Sequence, residues 1–217
     1  MKTLGWLVSL TLGSVGVVSV NFDAGAPGKM PLGWTVAMSH SGAPPRWEIL
    51  KDPSAPSPPN VLAQVSRDLD EVRGPLAILN KVSVKDGDLS VKIKPVAGKQ
   101  GRAGGLVWRY HDPENYYLVQ AESLGNHIIL YKVKDGIRIP LGTKGMPPRT
   151  YGVVHPVPAN QWSVLKVQFR GPLFSVYFNH RRLFQVMDST FADTGKVGLS
   201  TRADSVTYFD DFRIAGK

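Results

Sequence analysis

Fourteen short apolar or alternating runs, separated by turn residues, fill the chain from about residue 21 onward, and none keeps a sustained helical period. They extend from Trp34–Met38 and Arg46–Leu50 through Gly105–Tyr110, Tyr116–Ala121 and His127–Val133 to Lys196–Ser200 and Val206–Ile214. Runs of this length and spacing predict an all-β sandwich or barrel. Only Ser66–Arg73 and Ser189–Ala192 offer helical turns. The segments Lys85-Asp86-Gly87-Asp88, Lys134-Asp135-Gly136 and Phe178-Asn179-His180-Arg181 place Asp-Gly or Asn where a hairpin needs positive φ. Each is therefore expected to join antiparallel neighbours. Asp52–Asn60 carries Pro53, Pro56, Pro58 and Pro59, which lack the ladder donor, and is predicted to be an ordered surface loop; Met146–Pro158 is a second. With no break in composition and no internal repeat, residues 21–217 are expected to form a single domain.

The absence of cysteine excludes disulfides, thiolate metal sites and a cysteine nucleophile. Lys+Arg 26 against Asp+Glu 17 gives a net charge of +9, a field that attracts nucleic acid, anionic membrane or acidic polysaccharide. The basic residues are scattered, the longest cluster being His180-Arg181-Arg182, and no nucleic-acid motif is present, so nucleic acid is not an expected partner.

At the N-terminus, Met1-Lys2 precedes an uncharged stretch from Thr3 to Phe22, the order of a secretory signal. Gly5, Gly13 and Gly16 dilute its hydrophobicity, which favours a signal over a permanent anchor, and no A-x-A precedes Asn21. Residues 1–20 are thus read as a signal peptide or N-terminal apolar segment, with cleavage near 18–26, no stable membrane insertion afterwards, and a periplasmic or extracellular location. The competing reading makes Val15–Phe22 the first strand of the domain.

Period two along Gly105–Tyr110 sets Leu106, Trp108 and Tyr110 on one face and Val107 and Arg109 on the other. Along Tyr116–Glu122 it buries Tyr117, Val119 and Ala121 and projects Gln120 and Glu122. Arg109, Gln120, Glu122 and Lys132 then form a polar stripe across adjacent strands, either a ligand surface or a solvated face of charge pairs worth at most about 1 kcal/mol each.

The ordered series G-G-L-V-W-R-Y-H-D-P-E-N-Y-Y (Gly104–Tyr117), Y-K-V-K-D-G (Tyr131–Gly136), W-S-V-L-K-V (Trp162–Val167), V-Y-F-N (Val176–Asn179), G-K-V-G-L-S-T-R-A-D-S (Gly195–Ser205) and Y-F-D-D-F-R-I (Tyr208–Ile214) resembles the 3-keto-disaccharide hydrolase-like domains of bacteria. Phe22, Gly33-Trp34 and Trp47-Glu48 fit the opening of the same pattern, so the resemblance spans roughly residues 21–215. It implies a two-sheet antiparallel jelly roll of the concanavalin A-like lectin/glucanase type, export, a sugar-related ligand on the concave sheet, and cleavage of an oxidised glycoside. The alternative within the same fold is a non-catalytic module that binds glycan or protein in the cell envelope.

The paired carboxylates of a retaining glucanase, E-x-D-x-x-E on one strand, are missing, and no two of Glu48, Glu71, Glu114 and Glu122 share a strand. A 3-keto sugar needs less, because its carbonyl acidifies the neighbouring C–H: one base and one electrophilic group suffice for elimination. Glu122 or His127 is the candidate base, with Arg109 or Lys132 stabilising the enolate oxygen. The competing reading of Glu122 is a surface carboxylate satisfied by a nearby lysine.

Gln120, Asn126, Lys132, Tyr151, Arg202 and Asp204 are the candidate substrate contacts; Arg202 and Asp204 are either a groove edge or a structural ion pair. Parity sends Trp108, Tyr110 and Tyr117 to the core and leaves Tyr151, Trp34 and Trp47 for a groove rim, where aromatic faces suit pyranose rings. The five histidines show no local zinc spacing, and no metal site or cofactor is expected from motifs. Asp112/Asn115 and Asp210/Asp211 offer oxygen ligands suited to calcium, although binding backbone amides is the commoner use of such residues. Nothing in the sequence fixes an oligomeric state.

Overall fold

The computed structural model describes residues 16–216 and contains sixteen β-strands and, among the described residues, no helix. The first eight are β1 (Val17–Val20), β2 (Trp34–Ser39), β3 (Trp47–Lys51), β4 (Asn60–Gln64), β5 (Gly74–Val84), β6 (Gly87–Ala97), β7 (Ala103–Asp112) and β8 (Asn115–Glu122). There follow β9 (His127–Lys134), β10 (Ile137–Pro140), β11 (Val153–Val154), β12 (Ser163–Arg170), β13 (Leu173–Phe178), β14 (Arg181–Met187), β15 (Gly195–Ser200) and β16 (Val206–Gly216). All fourteen expected runs are strands. The expected helical turns at Ser66–Arg73 and Ser189–Ala192 are irregular chain instead.

The strands form two antiparallel eight-stranded sheets packed as a jelly-roll sandwich. The first has the order β14-β13-β12-β6-β16-β4-β3, with β1 also paired to β16; the second has the order β10-β9-β8-β7-β15-β5-β2, with β11 also paired to β9. Val17–Val20 pairs with Phe212–Ala215, so part of the N-terminal apolar segment is a strand of the sandwich. The rest of that segment, residues 1–15, lies outside the described residues.

Alternation builds the core. Along β6 and β12 every second residue is buried, and Val91, Ile93, Leu165, Val167 and Phe169 meet Leu106, Trp108, Tyr117, Val119 and Ala121 from the opposite sheet. Trp108 is fully buried, with ring centroids of Tyr117, Phe169 and Phe174 at 5.6, 5.9 and 5.4 Å. Each such side chain stabilises the fold by roughly 1.5–3 kcal/mol. Trp34 and Trp47, expected at a groove rim, belong to this core, packed against Phe212 and Phe209 respectively.

Two further expectations fail for identifiable reasons. The turns after β9 and β13 close hairpins, but the two-residue bend at Lys85-Asp86 carries the chain from one sheet to the other, so β5 and β6 are not neighbours. Parity also breaks in β7. The register against β8 shifts between Trp108 and Asp112, and Arg109 sits at φ 47° in a bulge. The extra residue keeps Arg109 on the inner side and sends Tyr110 to the outer face, where it packs with Tyr116.

Candidate functional site

The second sheet is buried on both faces at its centre. Leu76, Ile78, Val107, Tyr116, Leu118 and Val133 form a separate apolar cluster on its outer side, edged by Tyr110 and Tyr131. This cluster underlies the smaller of two neighbouring cavities. Register then brings polar residues together above it. Gln120 lies opposite Gly105 and Ile129, Glu122 opposite His127, Ser200 opposite Gly105, and Arg138 opposite Val133. Gly105 keeps the floor low, since a Cβ there would stand 2.5 Å from both Ser200 Oγ and the Val119 carbonyl oxygen.

Gln120, Glu122, His127, Tyr131, Arg138 and Arg202 line a hollow of about 180 Å³. A cavity of about 10 Å³ shares Gln120 and Arg138 and continues the face past Ser200 and Thr201 toward Tyr116 and Ser39. Gln120 Nε2 donates to the Thr201 carbonyl at 3.2 Å, while its Oε1 accepts from Arg138, whose guanidinium stands 4.2 Å from the Tyr131 ring centroid. Glu122 is buried rather than exposed, and no lysine satisfies it. Its Oε1 accepts the backbone N–H of Arg102 at 2.9 Å and of Leu124 at 3.1 Å, leaving Oε2 at 3.7 Å from Arg202 Nη1.

Among the described residues, ten buried side-chain nitrogen or oxygen atoms lack a hydrogen-bond partner. Five of them belong to residues that line these two cavities: Glu122 Oε2, Arg138 Nε, Arg202 Nε, Ser200 Oγ and Thr201 Oγ1. An unpaired buried polar atom costs about 1–3 kcal/mol, so such a concentration is unfavourable for packing alone and suits a surface that pairs with something else. Burial, with the neighbouring charge of Arg202 adding to it, holds the Arg138 guanidinium below its ordinary pKa.

Of the residues expected from sequence, Gln120, Glu122, His127 and Arg202 meet in the hollow. The others lie elsewhere. Arg109, expected on a ligand-bearing surface, is 1% exposed and inner-facing; its guanidinium donates to the carbonyls of Lys85, Phe191 and Gly171 and to Asp86, and it lies over the Phe174 ring at 5.5 Å. Lys132 faces the side of Tyr117, where its Nζ donates to Asp188 at 2.8 Å and to Thr190 at 2.7 Å.

Asp204 is a structural anchor whose carboxylate accepts the backbone N–H groups of Lys99, Gln100 and Gly101 at 2.6, 2.9 and 3.0 Å. Burial works to raise its pKa, but those three donors prevail and hold it below the ordinary carboxylate range. Asn126, at φ 48°, accepts the Val157 N–H through Oδ1 and so fixes the loop beyond β11. Tyr151 is exposed in the loop before β11, bridged to Gly142 and outside the hollow.

Tyr131, Arg138, Ser200 and Thr201 are the lining residues that sequence reasoning did not assign to the site. The alternation Ile137-Arg138-Ile139 carried the information for Arg138, which becomes meaningful once β10 is known to flank β9.

The oxygen-rich pairs are engaged internally. Asp112 accepts the N–H of Glu114 and the Asn115 amide; Asp210 accepts the N–H groups of Ser57 and Asp211; Asp211 pairs with Lys92 at 2.7 Å. Burial pushes the Asp210 carboxyl up to about 6. Among the described residues, no three His, Asp or Glu side chains are grouped to hold a metal ion.

No family model and no curated protein matches the chain. Solved structures do. The carbohydrate binding module CBM66 from Bacillus subtilis superposes with a TM-score of 0.62 at 19% identity, over 83% of this chain and 94% of that one. The β-glucanase of Bacillus licheniformis gives 0.60 at 9% identity, over 94% and 99%. The xylan β-1,4-xylosidase from Bacillus halodurans C-125 gives 0.57 at 16% identity, over 91% of this chain and 38% of that longer one. At these identities the likeness is one of architecture: the chain is similar to them in having the two-sheet jelly-roll fold.

Proposed function

We propose that the outer face of the second sheet binds a carbohydrate, in an exported protein, and that it does so as a binding surface. The observation that carries this reading is the group of five unpartnered polar atoms on residues that line the two cavities. A sugar presents hydroxyl edges, which match these atoms, and apolar faces, for which the Tyr131 ring lining the hollow is available. Jelly-roll neighbours described as a carbohydrate binding module and as a β-glucanase support the ligand class. Only one carboxylate, Glu122, lines the two cavities, which disfavours hydrolysis by a carboxylate pair. Export rests on the basic then apolar order of the N-terminal sequence.

One observation favours a second reading, elimination on a 3-keto glycoside. Glu122 Oε2 is unpartnered beside Arg202. In that chemistry Glu122 takes the proton from the carbon next to the keto group, the electron pair forms an enolate held by a guanidinium, and its collapse forms a C–C double bond and expels the glycosidic oxygen, which leaves as an alcohol on taking that proton back from Glu122. His127 and Arg138 would stand beside these two.

The test exploits the unpaired hydroxyls. Ser200→Ala and Thr201→Val remove buried groups that have no internal partner, so each is expected to raise unfolding free energy by about 0.5–1 kcal/mol. Each is also expected to weaken binding of the preferred member of a β-glucan, xylan, fructan and galacturonan oligosaccharide set by roughly 5–10-fold. Calorimetric titration and denaturant melts read the two effects. Unchanged affinity in both variants would remove the surface from consideration, and release of free sugar from a 3-keto-disaccharide, lost in Glu122→Gln, would replace binding by the second reading.

A further inference from the structure

Charge is unequally distributed around the 180 Å³ hollow. Arg138 and Arg202 both line it, His127 stands at its edge, and Glu122 is the only acid present. Glu122 is already committed on one oxygen to two backbone N–H groups. Its other oxygen faces Arg202 at 3.7 Å, beyond hydrogen-bond reach, so one carboxylate stands against two guanidinium charges at the hollow. The guanidinium nitrogens tell the same story. Arg138 gives one Nη to Gln120 and lays its plane on Tyr131, but its Nε is buried without an acceptor. Arg202 Nε is likewise buried and unpaired. Two guanidinium groups that disfavour each other by charge are thus kept at one cavity, each with an N–H short of an acceptor.

We infer that the hollow recognises a sugar acid, with the carboxylate of a uronic acid residue received by Arg138 and Arg202 and a ring hydroxyl of the same residue donated to Glu122 Oε2. This deepens the carbohydrate reading above and rests on it. A planar carboxylate accepts two parallel N–H bonds from a guanidinium fork, the geometry that an unpaired Nε beside an Nη supplies. Glu122 decides between a sugar acid and a simple anion. An acceptor with no partner next to the cations repels a bare anion but welcomes a hydroxyl donor, and a uronic acid carries both groups on one ring. Ser200 and Thr201 hydroxyls continue the polar edge along the face for the adjoining residue. The net charge of +9 would steer a polyanionic glycan toward the domain before contact.

The experiment compares, on the wild-type protein at fixed ionic strength, trigalacturonate, its methyl ester, a neutral xylotriose, a sulfated trisaccharide and free acetate. Trigalacturonate is expected to bind roughly 10–100-fold more tightly than its methyl ester, with affinity falling as salt rises. Arg138→Met and Arg202→Gln should each collapse that acid-to-ester ratio toward one, and Arg138→Lys should recover only part of it. Equal or tighter binding of the ester or of xylotriose overturns the sugar-acid assignment while leaving carbohydrate binding intact. Tighter binding of the sulfated sugar overturns the carboxylate, and acetate competing as well as trigalacturonate reduces the site to one for free anions. If none of the sugars binds, the carbohydrate reading itself fails.

Discussion

Replacing Arg109 with methionine is expected to lower the unfolding free energy by about 3–5 kcal/mol while leaving carbohydrate affinity unchanged below the melting transition. The guanidinium closes one end of the sandwich. It ties the Lys85-Asp86 bend, where the chain crosses between sheets, to the Gly171 turn and to Phe191, and it covers the Phe174 ring. Methionine fills much of the same volume but leaves three carbonyl acceptors without their donor. For a domain of this size the loss corresponds to a fall of roughly 10 °C in melting temperature. Thermal melts and titration at 15 °C separate the two readouts. A stable variant that no longer binds would return Arg109 to the ligand surface, against its buried position.

Asp204→Ala is expected to cost about 2–4 kcal/mol, because it orphans three backbone N–H groups in the Gly98–Gly101 loop at once. The sign of its pH dependence follows from the direction of the shift. Asp204 is held below its unfolded value, so its stabilisation is complete above the ordinary carboxylate pKa of about 4 and is lost as pH falls through the lower folded value. The gap between wild type and variant should therefore be full at pH 7 and narrow below about pH 4, as read by denaturant melts across that range. A gap independent of pH would mean that the carboxylate charge is not what holds the loop. Because Arg202 lies two residues earlier in the same loop, the variant should also weaken binding of an acidic sugar, through misplacement rather than lost contact.

Arg109 and Asp204 show where the sequence stops being legible. Strand positions followed from alternation and turn residues, because one buried face per strand imposes period two on the chain. The same rule put Gln120 and Glu122 on one face; unbroken register of β8 with β9 then sets Glu122 opposite His127, and Arg202 joins them from the turn after β15, which alternation did not foresee. It failed for Arg109 because a single-residue bulge inverts every later side chain in β7, and nothing local in Trp108-Arg109-Tyr110 announces it. It failed at Lys85–Asp88 because an Asp-Gly bend reads alike whether it closes a hairpin or crosses between sheets; the difference lies in Arg109, 24 residues away from Lys85 in sequence. Lys132, Asn126 and Asp204, read from sequence as substrate contacts, lie outside the hollow, each held by a partner distant in sequence that alternation could not reveal. Arg138 and Ser200 became visible only with strand order, because β10 and β15 flank the central strands from different parts of the chain.

Backbone amide shifts followed during titration with the tightest-binding oligosaccharide test the placement of the site most directly. Saturable shifts are expected at Gln120, Glu122, His127, Tyr131, Arg138, Ser200 and Thr201, on strands that meet only at the outer face of the second sheet. Shifts confined to the first sheet, around Lys166 and Tyr177 or Lys94 and Tyr208, with this face silent, would contradict it.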